Sequence, residues 1–194
     1  FDNDYIEMTY KNIDTGLGFE RVLAILNGKQ SVFEIETFLP IIRKIEDLSN
    51  KNYTQDAETT RAIRIIADHL RAATFVLGDE NGVTPSNIGQ GYILRRLIRR
   101  AIRFGYQLGI KKDFTTEIAR LTVQIFNKFY PELAKNQERI FQELALEEKK
   151  FSQTLAAGLK KIEIMTRKIH RLENVLTQFN DGDCDDDDDR QFVQ

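Results

Sequence analysis

Two glycines and an arginine stand close together near the amino terminus, in the stretch NIDTGLGFER at residues 12–21. Gly16 and Gly18 have no Cβ, so a planar ligand can lie directly against the backbone there. Arg21 presents a planar set of donors that matches phosphate oxygens at any relevant pH. Asp14 could hold an ammonium group. These residue types therefore fit a site for a nucleotide and an amino group.

The same stretch also fits an ordinary turn. In this interpretation the glycines connect a strand to a helix, and Glu20 and Arg21 are solvated helix residues. The spacing differs from the dinucleotide-binding fingerprint G-x-G-x-x-G, because position 21 holds arginine where that fingerprint has glycine. Residue types alone leave both interpretations open.

A second chemically distinctive group is a set of five arginines within residues 85–105. Their spacing places them along one side of a helix, while apolar residues cover the other side. No acidic residue lies between Glu80 and Asp113. Like charges at this spacing repel one another, so a phosphate backbone would offset that repulsion. We call the set the arginine ridge; its members are Arg95, Arg96, Arg99, Arg100 and Arg103.

The loop that precedes the arginine ridge holds a candidate for base recognition. Asn87 lies beside Gly89 and Gly91, and its amide could reach a base edge, which phosphate contacts alone cannot read. Asparagine is equally common in plain turns. The arginines could also pair with carboxylates of neighbouring helices or meet acidic helices of a protein partner. An RNA-binding surface and a protein-interaction surface are both consistent with the pattern.

Composition indicates a mainly helical protein. The 194 residues are 41% hydrophobic, include only 3 prolines and no tryptophan, and are rich in residues that favour helices. Alternation over residues 5–14 predicts a short β-strand or hairpin at the start. Apolar periodicity and turn signals then predict helices near 17–26, 38–48, 59–77, 91–108, 113–130 and 131–175.

Charge and cysteine content limit the remaining function classes. The net charge is −2, but residues 180–194 hold seven Asp and one Arg, a charge of −6, which leaves about +4 elsewhere. Such a tail is predicted to be disordered. One cysteine, Cys184, excludes an intramolecular disulfide and a cysteine-rich zinc site. Without an apolar run of membrane length or a signal peptide, we predict a cytoplasmic protein without membrane contact or a metal site.

Two stretches together resemble a known family, the alanyl-tRNA synthetases. NIDTGLGFERVLAILNGK resembles the third signature motif of class II synthetases in its alanine-specific form. RIIADHLRAATFVLGDENGVTPSNIGQGYILRRLIRRAIRFG resembles the start of the family's helical tRNA-recognition domain, and the similarity extends over about residues 1–163. The resemblance implies a helical bundle preceded by a strand or hairpin and a helix from an antiparallel α/β catalytic domain. The implied parts are the end of the catalytic domain (1–28), the helical tRNA-recognition domain (29–175) and an acidic tail (176–194).

The resemblance also implies a role for each candidate residue. Arg21 matches the catalytic arginine that holds the ATP phosphates, and Gly16 and Gly18 match glycines that line the adenylate site. Asp14, together with Gly16, matches the part that receives alanine. Asn87 and the arginine ridge match the region that approaches the acceptor stem of alanine tRNA and its G·U wobble pair. The family uses ATP with Mg²⁺ to activate alanine and then transfers alanine to tRNA.

The sequence also departs from the family pattern. The first two class II motifs and the zinc-binding editing signature are absent, and residues after about Glu163 no longer resemble the family. A frame change, a truncated gene or a fused tail would account for this. We therefore expect a piece of an alanine–tRNA ligase that is inactive alone. The alternative is a stand-alone helical RNA-binding module without catalysis.

Overall fold

A computed structural model describes residues 9–13, 15–110 and 113–180. Within these ranges the chain is mainly helical and contains no β-strand, which confirms the predicted helical class. One 3-10 turn, Val32–Glu34, lies between the first two helices. The helices are α1 (Phe19–Leu26), α2 (Leu39–Ser49), α3 (Ala57–Gly78), α4 (Gly89–Gln107), α5 (Phe114–Phe126), α6 (Pro131–Lys135) and α7 (Gln137–Asn180).

Two sequence predictions differ from the observed elements. Residues 9–13 form no strand, and the other positions of the predicted strand, 5–8 and 14, lie outside the described residues, so the hairpin stays a prediction. The single helix predicted over 131–175 is wrong, because the chain forms α6 and α7 with a break at Asn136. The Asn136 side chain donates a hydrogen bond of 2.8 Å to the Gly78 carbonyl, which ties this break to the end of α3.

The chain divides into two compact units, Phe1–Glu148 and Lys149–Gln194. In the first unit α3 packs against α2, α4, α5 and α6 and forms the centre of the core. Its fully buried large side chains include Phe38, Ile41, Ile45, Ile63, Ile66, Leu70, Leu94, Ile98, Ile102 and Phe114. In the second unit the described part is the remainder of α7, where apolar side chains such as Leu159 and Ile162 are exposed. The predicted boundaries after residues 28 and 175 stay predictions.

Side-chain caps fix both ends of α3. At the start, the Asp56 carboxylate accepts hydrogen bonds of 2.7 Å from the Thr59 N–H and the Thr59 hydroxyl, and these bonds lower the pKa of the Asp56 carboxyl. At the end, the Arg139 guanidinium donates to the carbonyls of Leu77 and Asp79. These hydrogen bonds fix the position of the residues from which the loop to α4 begins.

Gly105 allows α4 and α5 to approach closely. A Cβ at this position would overlap the ring of Phe114, the fully buried first residue of α5. We expect Gly105→Ala to lower the free energy of unfolding by about 1–3 kcal/mol through overpacking, although alanine is the better helix former. Urea unfolding followed by circular dichroism measures this change.

Two further variants separate overpacking from other effects. Gly158→Ala, at a helical glycine where the added Cβ has no atom of a described residue within 4 Å, should not destabilise the protein. Phe114→Leu should partly restore stability in the Gly105→Ala background, because a smaller side chain removes the overlap. Strict additivity of the Gly105 and Phe114 substitutions would contradict this account.

Candidate functional site

The packing of α4 decides which side of it faces solvent. Leu94, Ile98 and Ile102 on one side are buried in the core beside α3. The arginine ridge lies on the opposite side, as the spacing predicts. Arg96, Arg100 and Arg103 are exposed, whereas Arg95 and Arg99 are half-buried at the edge of the ridge.

One ridge arginine has a carboxylate partner. The Arg99 Nε donates a hydrogen bond of 2.5 Å to Oε1 of Glu147, an α7 residue that is only 5% exposed. For the other four arginines, no carboxylate of a described residue lies within ion-pair distance. Pairing with a neighbouring helix, one of the alternatives that the sequence left open, therefore applies to Arg99.

Aromatic rings, instead of carboxylates, accompany three other members of the arginine ridge. The guanidinium carbons of Arg95 and Arg96 lie 5.9 and 5.7 Å from the centre of the Tyr92 ring. The Arg100 guanidinium lies 5.9 Å from the centre of the Phe104 ring. Such contacts stabilise a cation by about 0.5–1 kcal/mol at exposed sites and leave its charge intact. The ridge thus remains a cationic surface.

Asn87 lies at the entrance to α4, exposed to solvent, in a loop that folds against the first turn of the helix. The Ser86 N–H donates to the Gly91 carbonyl at 3.1 Å, and the Ser86 hydroxyl donates to the Ile88 carbonyl at 2.8 Å. A Cβ on Gly91 would overlap the Thr84 carbonyl oxygen and the Ser86 side chain. Gly91 is therefore the residue that lets the loop carry Asn87 close to the start of the arginine ridge.

Gly16 and Gly18 lie in extended chain before α1, and neither has a positive φ. A Cβ on Gly16 would meet no described atom within 4 Å. A Cβ on Gly18 would only touch the aliphatic stem of Arg21, at 3.5 Å or more. Neither backbone conformation nor packing among the described residues requires glycine at these two positions.

Arg21 lies on the open side of α1. The other side of this helix is anchored to the bundle: Ala24 is buried, and Oε1 of Glu20 accepts a hydrogen bond of 2.7 Å from Nη1 of Arg71. Burial raises the pKa of the Glu20 carboxyl, but the hydrogen bond and charge of Arg71 outweigh this, so that pKa lies below its ordinary value. Arg21 itself is exposed, as is Ile25 one turn later.

The structure does not test every sequence-predicted site residue. Asp14 lies outside the described residues. Gly16 and Gly18 lie just before α1 and Arg21 lies in its first turn, while Asn87 lies in the loop just before α4, the helix that carries the arginine ridge. In the described ranges no group of His, Cys, Asp and Glu side chains could hold a metal ion, and no helix is long and apolar enough to cross a membrane.

Sequence reasoning missed three residues that shape these sites. Glu147 forms an ion pair with Arg99, and Arg71 forms one with Glu20 of α1. Tyr92 lies beside two ridge arginines. The first two partnerships join positions 48 and 51 residues apart, so no local pattern reveals them. Tyr92 could have been found, because it stands four residues before Arg96 and therefore on the same side of α4.

Comparison with known proteins identifies the family. The sequence model for tRNA synthetases class II (A) matches residues 1–180. The chain belongs to this family.

Relatives of this class II chain support the same assignment. The chain is 46% identical over 168 residues to the alanine–tRNA ligase of Borreliella afzelii, covering 87% of this chain and 28% of the relative. Identity is 43% over 167 residues with the alanine–tRNA ligase of Treponema pallidum, at 86% and 28% coverage. It is 44% over 161 residues with that of Leuconostoc mesenteroides, at 81% and 18% coverage. The chain thus spans less than a third of the length of these relatives.

The contrast between Arg99 and the rest of the ridge of this class II chain predicts different effects on stability. Arg99→Gln should lower the free energy of unfolding by about 1–3 kcal/mol, because buried Glu147 loses its charged partner. Arg96→Gln and Arg103→Gln should each change it by less than about 0.5 kcal/mol. Urea unfolding curves provide the measurement. Glu147→Gln removes the charge of the other partner in this ion pair and serves as the comparison.

Equal destabilisation by all three arginine substitutions would contradict this division. An Arg99→Gln protein with the same free energy of unfolding as the unsubstituted chain would also contradict it.

Proposed function

We propose that this chain is part of an alanine–tRNA ligase and that it supplies two portions of that enzyme. The α4 surface with Asn87 binds the acceptor stem of alanine tRNA. The start of α1, with Gly16, Gly18 and Arg21, contributes to the site for ATP and alanine, and Asp14 receives the alanine amino group. The relatives named above, all of them alanine–tRNA ligases, support the enzyme class.

The observation that carries the RNA-binding part is the exposed positive charge of three ridge arginines. Arg96, Arg100 and Arg103 are exposed, and no described carboxylate neutralises them. Their mutual repulsion amounts to a few tenths of a kcal/mol per pair at four-residue spacing. RNA phosphates would offset this repulsion, and the release of counterions from the RNA would add favourable entropy. Binding of the ridge to a polyanion is therefore favourable.

The residues before α1 fit the phosphates and the adenylate of an ATP site. Glycines at positions 16 and 18 leave the backbone open where no described side chain needs that space. Arg21 places an exposed guanidinium next to this open backbone. Reactions at phosphorus are catalysed mainly by positioning the substrate and by stabilising charge. A guanidinium group and an accessible backbone serve both purposes.

The proposed reaction joins alanine to the α-phosphate of ATP, releases pyrophosphate and then passes alanine to the terminal ribose of tRNA. In this reaction Mg²⁺ would offset phosphate charge. No described carboxylate cluster could hold this ion, so we assign no Mg²⁺ ligand to the chain. We expect the chain alone to catalyse no alanine-dependent ATP–pyrophosphate exchange, because the first two class II motifs are absent from it.

The alternative function is a stand-alone helical RNA-binding module. Both functions predict RNA binding by the arginine ridge, and they differ at α1. In the stand-alone module, Gly16 and Arg21 would have no nucleotide to bind, whereas in the ligase they would affect the first step of the reaction. The two experiments below address the RNA surface and the nucleotide site separately.

The first experiment is filter binding of this chain to alanine tRNA across a salt series. Replacing Arg96, Arg100 or Arg103 by Gln should weaken binding and reduce the slope of log affinity against log salt by about 1 for each residue. Replacing the G·U wobble pair should weaken binding by about 1–3 kcal/mol, and Asn87→Ala should abolish this discrimination. Discrimination would indicate base recognition in addition to charge.

Matched controls are present in the same chain. Lys160→Gln, Lys161→Gln and Lys168→Gln remove the same charge from exposed α7 positions and should leave the salt slope unchanged. Asn81→Ala alters an exposed asparagine in the same connection and should preserve discrimination. If ridge and α7 substitutions have equal effects, or if no RNA binds, the proposed RNA surface is wrong.

The second experiment tests the glycines. In this chain, Gly16→Ala should change the free energy of unfolding by less than about 0.5 kcal/mol, because the added Cβ meets no atom of a described residue. At the aligned position of a full-length alanine–tRNA ligase, the same substitution should lower the rate of ATP–pyrophosphate exchange by about 100-fold, because the added methyl group would displace the substrate.

Gly28→Ala should show the opposite pattern. Gly28 has φ +62°, so alanine is strained there by about 1–2 kcal/mol, yet the position lies after α1, away from Gly16. We expect reduced stability with exchange retained. Full exchange activity in the Gly16→Ala enzyme would support the turn interpretation of these glycines.

A further inference from the structure

The part of α7 after residue 158 is an exposed helix that carries a regular apolar stripe. All residues from 159 to 174 are exposed, so the described residues leave this part of the helix uncovered. Five large apolar side chains in it are between 55% and 65% exposed, namely Ile162, Met165, Ile169, Leu172 and Leu176. Most helical stability in proteins comes from packing of an apolar face, and exposed apolar surface is unfavourable in water. The stripe therefore fits a partner that removes it from water.

The spacing of these five side chains is that of a coiled coil. They are separated alternately by three and four residues, so apolar residues occupy positions a and d of a seven-residue repeat. In the sequence the repeat starts at Leu155, and its next d position is Phe179. Between 166 and 174 every residue outside the stripe is polar, which gives the narrow stripe typical of a helix that pairs with a second helix. We call the five side chains the heptad seam, with Ile162, Ile169 and Leu176 at a and with Met165 and Leu172 at d.

Charged residues of opposite sign flank the heptad seam. Lys168 holds position g and Glu173 holds position e. In two parallel copies, position g of one helix lies beside position e five residues later in the other, so Lys168 meets Glu173 of the second copy. No described carboxylate lies within ion-pair distance of Lys168, and the Glu173 side chain is 66% exposed although it also contacts His170 at 3.6 Å. The surface is therefore complementary to itself in the parallel orientation.

Other arrangements fit these residues less well. The side of the helix away from the seam is polar, and there Nη2 of Arg167 donates a hydrogen bond of 2.6 Å to Oε1 of Glu163. An antiparallel pair would bring g beside g and e beside e, so the attraction between Lys168 and Glu173 would be lost. A polyanion would be attracted by Lys168 but repelled by Glu173 on the other flank. A second copy in the parallel orientation is thus the partner that both flanks favour.

We propose that two copies of this chain associate through the heptad seam as a parallel, two-stranded coiled coil. Isoleucine at two a positions and leucine at a d position favour two strands over three or four. The two pairs between Lys168 and Glu173 set the orientation and the register of the helices. This inference goes beyond the proposed function, because it holds whether or not the arginine ridge binds RNA.

The first test is sedimentation equilibrium of the full chain. The average mass should rise from that of one chain to that of two as the concentration increases from about 1 to about 100 μM. Ile169→Gln should raise the dimer dissociation constant at least about 10-fold, because both copies lose an apolar seam side chain. The matched control is Ile164→Gln, at a 46% exposed position of the same helix outside the seam, which should leave the dissociation constant unchanged. Glutamine favours helix, so circular dichroism should show both variants folded.

Charge exchange tests the orientation. Lys168→Glu or Glu173→Lys alone should raise the dissociation constant about 3- to 10-fold, because each creates two like-charge pairs across the dimer. An equimolar mixture of the two variants should regain the original affinity, since every g-to-e pair in the mixed dimer is again attractive. Lys160→Glu, which changes a charge at the outward f position, should have no effect.

Cross-linking provides a second readout of the orientation. The background is Cys184→Ser, which removes the only cysteine of the chain. In this background, Leu172→Cys should form a disulfide between copies on addition of an oxidant, because equal d positions face each other only in a parallel pair. Lys160→Cys should remain monomeric under the same conditions.

Each remaining outcome would overturn the inference. A mass of one chain at every concentration would mean that a different partner covers the heptad seam. Equal weakening by Ile169→Gln and Ile164→Gln would mean that the copies meet elsewhere. A dimer without the Leu172→Cys cross-link would contradict the parallel orientation, and a trimer or tetramer would contradict two strands. RNA binding by the arginine ridge could persist in all of these cases, so the proposed function is tested separately.

Discussion

The contact between α3 and α4 is the constraint on which the candidate RNA surface depends. Burial of Leu94, Ile98 and Ile102 fixes the rotation of α4 about its axis, because turning the helix would expose these side chains to water. Each buried side chain of this size is worth about 1.5–3 kcal/mol, far more than the repulsion between neighbouring arginines. The hydrophobic core therefore imposes the outward position of the arginines, and no electrostatic interaction within the bundle is needed to hold them there.

Arg99 occupies a different position from the other ridge arginines. It lies at the edge of the ridge, where α7 approaches and where buried Glu147 needs a charged partner. A carboxylate in such a position is costly unless it is paired and hydrogen-bonded. The sequence spacing makes all five arginines look alike, whereas tertiary packing pairs Arg99 with Glu147 and leaves Arg96, Arg100 and Arg103 exposed to solvent. A similar division occurs on α1, where Glu20 binds Arg71 and neighbouring Arg21 stays exposed.

Local signals in the sequence predicted most of the helices and singled out the residues of both candidate sites, whose roles stay predictions. Gly78 ends α3 as the sequence predicts, and the four-residue spacing of the arginines on α4 gave their side correctly. The break at Asn136 was missed, and the hydrogen bond that accompanies it joins Asn136 to Gly78, 58 residues away, where no local pattern reveals it. The partners Glu147 and Arg71 were missed for the same reason. A single sequence reveals periodicity and caps, but it does not reveal which distant side chains meet.

The two candidate sites share a physical property: the described residues do not require their residue types for stability. Elsewhere, a special residue has a reason within the chain: Gly105 avoids the Phe114 ring, and Gly91 accommodates the loop at Ser86. At Gly16 and at Arg103 the described residues supply no such reason, since neither packing nor charge requires these residue types. Stability therefore constrains these positions only weakly, which leaves them available for the ligands of the proposed function. On this argument, the parts of the chain on which the fold depends least are the parts where binding should be sought.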